Sequence, residues 1–76
     1  MSVSDANAML PVNIAVAIKA KRMTNNEVAK RSGHSVQQLS DMLHGRKIIK
    51  PCDILAISGA LGIDVDELFR DRSTSA

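Results

Sequence analysis

Apolar residues recur along this 76-residue chain at the three- and four-residue spacing of helices, and no stretch alternates with the period of a strand. Residues 1–10 are small and polar without sustained periodicity, and read as a flexible N-terminal arm. Pro11 suits a first helical position because it has no backbone donor to leave unpaired. Ile14, Ala17, Ile18 and Lys21 follow at helical spacing, Lys19, Lys21 and Arg22 supply the polar side, and Met23 closes this first helix. Thr24 with Glu27, Ser35 with Gln38 and Asp64 with Glu67 each match the capping box that opens a helix. They predict helix two running to about Ser32, helix three, and a short helix five that includes Leu68 and Phe69. Gly33, Gly45 and Gly62 stand where helices two, three and four should stop, and Pro51 opens the fourth. The predicted fold is all-α, a compact five-helix domain over residues 11–70, with a C-terminal tail over 71–76. Helices two and three, joined by a short turn at Gly33, form a helix-turn-helix, the device that presses side chains into the DNA major groove.

Composition narrows this picture. Phe69 is the one aromatic residue, so the core must be aliphatic, with Met23 and Met42 as fillers and Met9 in the arm. Cys52 is alone, which leaves no disulfide framework and no cysteine zinc cluster, fits a reducing cytoplasm, and reads as a small residue buried or half-buried at the start of helix four. No apolar run approaches the roughly 20 residues needed to cross a bilayer, and nothing resembles a signal peptide. A soluble cytoplasmic domain is expected. His34, His44 and Cys52 are not spaced as metal ligands, and His34 reads as a partly exposed turn residue. Without a phosphate-binding glycine loop, a nucleophile–base pair or convergent carboxylates, neither a cofactor nor an enzymatic activity is expected.

The net charge of +2 hides an uneven distribution. Between Lys19 and Lys50, eight basic residues face only Glu27 and Asp41. From Pro51 onward, Arg70 and Arg72 stand against Asp53, Asp64, Asp66, Glu67 and Asp71. A basic middle joined to an acidic end suits one face turned to a polyanion and another turned away. At about 100° per residue, helix three divides cleanly. Leu39, Met42 and Leu43 share the arc that must be buried; Val36, Gln37, Ser40, Asp41 and His44 share the opposite one, and Gln38 is occupied with its cap. Gln37 can present a donor and an acceptor together to adenine, Val36 can touch a thymine methyl, Ser40 can serve base or phosphate, and Asp41 can accept from cytosine N4.

On these residues the chain resembles the phage-repressor (Cro/CI-type) helix-turn-helix family over about residues 12–70. The resemblance is carried by Thr24-Asn25-Asn26-Glu27-Val28-Ala29, by Gly33, Ser35, Leu39 and Gly45, by Ala60-Leu61-Gly62-Ile63, and by Asp66-Glu67-Leu68. It implies that Ala29 sits where two helices cross and that helix three is the reading helix. It also makes the loop Gly45–Lys50 similar to the segment that follows the recognition helix along the DNA backbone. Arg46, Lys47 and Lys50 are therefore the leading candidates for phosphate contact, followed by Arg22 and Lys30, with Ser35 at the cap and Asn25 where the family often has a phosphate-anchoring glutamine. Each phosphate so neutralised steepens the log–log salt dependence of binding by close to one unit.

Several positions depart from the family. Ile18 and Leu43 replace an arginine and a glutamate that usually pair, a double change that predicts direct aliphatic contact. Val36 takes the place of a polar reader, Asp41 is unexpected near phosphates and is either a reader of cytosine or a penalty that excludes wrong sites, and His34 stands where an apolar residue is usual. Ile48 and Ile49 either fold back onto helix four, the favoured reading, or present a small apolar patch to a partner. The implied function is a sequence-specific regulator of transcription, a repressor, that binds a palindromic operator in double-stranded DNA as a homodimer. The resemblance puts the dimer contact near Ile63 and Val65. The alternatives are the antitoxin half of a toxin–antitoxin pair, which binds DNA and a protein partner, and a protein-interaction module without DNA binding.

Overall fold

The computed structural model describes residues 3–70, whose regular structure is helical: α1 (Val3–Ala20), α2 (Asn25–Ser32), α3 (Val36–Leu43), α4 (Pro51–Leu61) and α5 (Val65–Leu68). The first helix corrects the sequence reading. It begins at Val3 and carries Pro11 in its interior, so residues 3–10 are helix rather than arm. Met1, Ser2 and the tail 71–76 lie outside the described residues. The helical stripe continues through the proline: Leu10 lies one turn before Ile14 and is buried with it. Burial of such a side chain is worth about 1.5–3 kcal/mol, comparable with the ~3 kcal/mol that an interior proline costs a helix.

Nor does Met23 close α1. Arg22 enters the left-handed region at φ 55°, and the chain reverses there. Arg22 N donates to the Lys19 carbonyl at 3.0 Å and Met23 N to the Ile18 carbonyl at 3.1 Å, the bond pair of a Schellman ending. The same ending closes α2, where Gly33 has φ 79° and His34 N donates to the Ala29 carbonyl at 2.9 Å.

The capping boxes of α2 and α3 form as expected. The Thr24 hydroxyl accepts from Glu27 N at 3.1 Å while Glu27 Oε1 accepts from Thr24 N at 3.1 Å. Ser35 and Gln38 repeat the exchange at 3.1 and 2.9 Å. The third box does not form. Asp64 makes no side-chain cap bond, because in a single-turn helix its own carbonyl already accepts from Glu67 N at 3.1 Å; Phe69 follows the helix instead of belonging to it. An unforeseen half-box opens α4, where Asp53 Oδ2 accepts from Lys50 N at 3.1 Å.

Leu10, Ile14, Ala17, Ile18, Val28, Ala29, Leu39, Met42, Ile57, Leu61 and Leu68 make one aliphatic core. Helix α2 packs on α3 and α4, α1 on α3 and α5, and α4 on α5. Ile18 belongs to this core and Leu43, half-buried, packs against it, so the two aliphatic replacements serve the same cluster. Asn13 is buried on the same face of α1, and its Nδ2 donates at 2.8 Å to the carbonyls of both Leu68 and Arg70, pinning the end of α5.

Two smaller expectations change. Cys52 is exposed, because it lies off the Ile54, Ile57, Ser58, Leu61 side of α4 that faces inward. Ile49 packs against the core, whereas Ile48 is 82% exposed. Both line an open cavity of about 270 Å³ with Leu10, Pro11 and Met42, so the loop turns toward α1 and α3.

Candidate nucleic-acid interface

Two short helices and one tight turn set the geometry of this surface. Val28 and Ala29 anchor α2 in the core, and Leu39 and Met42 anchor α3, which leaves the opposite arc of α3 facing outward. Of the expected base readers, Val36 is 49% exposed and Gln37 is exposed, while Ser40 and Asp41 are half-buried. His44 belongs on this face as well. Its Nδ1 donates to the Ser40 carbonyl at 2.7 Å and lies 3.4 Å from the Ser40 hydroxyl, so the ring covers the end of the helix beside a candidate reader.

The readers are not independent. Gln37 Nε2 donates to Asp41 Oδ1 at 2.9 Å, and Arg46 Nε donates to the same oxygen at 3.1 Å. Arg46 reaches back because Gly45, at φ 75°, reverses the chain after α3. The Asp41 carbonyl then accepts the backbone N–H of Arg46 at 2.8 Å and of Lys47 at 3.2 Å. The hydrogen bond from Arg46, followed by that from Gln37, holds the Asp41 carboxyl below its ordinary value; burial opposes them, and the nearby charges of Arg46 and His44 add smaller effects in the lowering direction. At neutral pH it is a carboxylate, and a carboxylate only accepts.

The phosphate candidates are spread over several elements. Arg22 follows α1, Asn25 opens α2, Lys30 lies in its last turn, and all three are exposed. Ser35 accepts from Gln38 N at its oxygen, which leaves the hydroxyl proton for an acceptor such as phosphate. Arg46 and Lys50 are exposed and Lys47 is half-buried. The structure thus joins Gln37, Asp41 and Arg46 directly and places Arg22, Asn25 and Lys30 on separate helix ends.

Sequence reasoning missed a second cluster behind this face. His34 in the turn between α2 and α3 is not a loosely exposed residue, since its side chain retains only 10% exposure. Its Nε2 lies 2.8 Å from Asp53 Oδ1 on α4, and its Nδ1 lies 2.8 Å from the Ser32 hydroxyl, which also donates to the Ala29 carbonyl at 3.2 Å. The hydrogen bond from His34 holds the Asp53 carboxyl below its ordinary value, helped by the backbone N–H of Lys50 and by the charges of His34 and Lys47 against the effect of burial. The latch fixes the turn of the two-helix unit to the helix beneath it. Ser32 and His34 are close in sequence, but Asp53 is brought to them only by the packing of α4 on α2.

Residues 13–72 match the family model of the Cro/C1-type HTH DNA-binding domain. No curated protein matches the chain. Its fold is similar to the solution structure of the SOS-response transcriptional repressor LexA from Eubacterium rectale, with a TM-score of 0.78 at 22% identity, covering 100% of this chain and 81% of that one. With its turn latched, one arc of its third helix facing outward and the family model matched over most of its length, the chain belongs to the Cro/C1-type HTH DNA-binding domain family, DNA-binding regulators of transcription.

Proposed function

We propose that the chain is a sequence-specific repressor that binds a palindromic operator as a homodimer, with α3 in the major groove. The observation that carries this reading is the outward arc of α3, where Val36, Gln37 and Ser40 are accessible beside the basic loop 46–50. In this assignment Gln37, Val36 and Ser40 meet base edges, and Arg46, Lys47, Lys50, Arg22, Lys30, Asn25 and Ser35 meet phosphates. A single helix of eight residues reads few base pairs, so useful selectivity calls for two copies and two half-sites. Half-buried Ile63, between α4 and α5, and half-buried Val65, the first residue of α5, are the proposed dimer contact. Repression follows from occupancy, because a protein seated on an operator excludes other proteins from it; the LexA domain of similar fold comes from a repressor. A DNA partner and the exposed thiol of Cys52 both suit a reducing cytoplasm.

Selection from a random pool of duplexes, followed by salt titration of the enriched sequence, tests the reading. A palindromic winner is expected, with affinity falling steeply as salt rises. Gln37→Ala should lower affinity for the winner far more than for unrelated duplex. The absence of any enriched sequence, or a flat salt response, would end the DNA-binding assignment.

A further inference from the structure

An acidic side chain on a surface that meets phosphates carries a like-charge penalty. On this chain Asp41 is engaged at both its side chain and its backbone. One carboxylate oxygen gathers Gln37 Nε2 and Arg46 Nε, and the carbonyl gathers the N–H groups of Arg46 and Lys47. Resting on the DNA-binding reading above, we propose that Asp41 is a positioning residue for specificity: it fixes the amide of Gln37 in the orientation that selects adenine over guanine, and ties that reader to the phosphate-side loop through Arg46.

The selectivity follows from counting donors and acceptors. A glutamine amide offers one carbonyl oxygen and two N–H groups. Adenine presents an acceptor at N7 and a donor at N6 in the major groove, whereas guanine presents acceptors at both N7 and O6. A free glutamine can turn its N–H groups toward guanine. Gln37 is not free, because one N–H is committed to Asp41 at 2.9 Å. What it has left is one donor and one acceptor, the complement of adenine, and its carbonyl would face O6 of guanine. The amide cannot reverse while the clamp holds, since its carbonyl has no proton to offer a carboxylate. A carboxylate already holding two donors is also a poorer partner for cytosine N4 than a free one, so Asp41 is reassigned from reader to clamp. Arg46 gives the clamp its second anchor; its side chain remains 59% exposed, and its guanidinium has further N–H groups for a phosphate.

The test uses the duplex enriched by the full chain, with the base read by Gln37 located as the position whose discrimination Gln37→Ala removes. Dissociation constants are measured for that duplex and for its adenine-to-guanine variant. Wild type should prefer adenine by about tenfold or more, the usual yield of a bidentate base contact. Asp41→Ala should cut the preference severalfold while tightening binding to every duplex, because a negative charge has left the interface. Adding Asp41→Ala to Gln37→Ala should change affinity and leave discrimination where Gln37→Ala had put it. Asp41→Asn, which keeps the shape and one acceptor, should retain part of the preference and gives the same readout if the alanine variant melts early. A uniform gain in affinity with undiminished adenine preference would make Asp41 a charge and nothing more. Equal erosion with and without Gln37 would also overturn the proposal, as would a base other than adenine at the position. If no duplex is enriched by wild type, the DNA-binding reading itself fails and this inference falls with it.

Discussion

Asn13 shows how much one polar side chain can settle in an aliphatic core. It is 1% exposed, as buried as Ile14 beside it, and it supplies protons to two carbonyls at the far end of the chain. Replacing it with alanine leaves the Leu68 carbonyl buried without this donor, and the expected loss is roughly 1–3 kcal/mol, read as a lower urea midpoint. Asn13→Asp should cost more than Asn13→Ala, because a carboxylate would be aimed at two carbonyl oxygens. If the two variants were equally stable, the bonds to α5 would not be the reason Asn13 is buried. In the sequence Asn13 stands one place before Ile14 and four before Ala17. Its role was not legible there, because the carbonyls it serves arrive only when α5 folds back over α1. Gln37 and Asp41 are different: their four-residue spacing on one helix face does announce a contact, whereas the third member, Arg46, depends on the backward turn at Gly45.

Helix ends show where local signals suffice and where they do not. Thr24 and Ser35 cap α2 and α3 as their sequences foretell, since every atom of those boxes lies within four residues. Asp64 has the right residue type but heads a single turn whose backbone satisfies itself, and Pro11 resembles a helix start while sitting inside a longer helix. Arg22 is the odd ending. The left-handed step that glycine makes after α2, α3 and α4 is made after α1 by an arginine. A side chain there costs about 1 kcal/mol relative to glycine, so Arg22→Gly should raise stability by about that amount in urea titration. If Arg22 meets a phosphate, the same variant should flatten the salt slope of DNA binding by about one unit. The latch between the α2–α3 turn and α4 has its own signature in acid. Asp53 is held below its ordinary value of 3.8, so its stabilising contribution is complete above that pH and is lost as pH falls through the lowered, folded value. Wild type should exceed Asp53→Asn by about 1–2 kcal/mol near neutrality, the worth of a charged hydrogen bond, and the gap should close below pH 3.8. A gap that persisted undiminished into strong acid would mean that the carboxylate charge is not what the latch uses.

At the scale of the molecule, charge asymmetry and helix placement bear on how two copies would share one operator. The basic run ends at Lys50, and Ile63 and Val65 lie in the acidic segment beyond it, so the proposed contact there would draw on a segment separate from the basic one assigned to DNA. Val65 is the better test of the two, because Ile63 packs against the core and its loss would confound assembly with folding. Val65→Lys should leave the thermal melt and the affinity for a half-site duplex close to wild type, while removing the cooperative gain on the full palindrome. Moving the half-sites apart by about half a helical turn, roughly 5 base pairs, should abolish the same gain in wild type by placing them on opposite faces of the duplex. Cooperativity that survives Val65→Lys but not the altered spacing would keep the dimer and move its interface, with the exposed Val12, Val16 and Leu55 as the next positions to change. The absence of any cooperative gain at either spacing would instead mean that the two copies bind without touching, and that each α3 must find its bases alone.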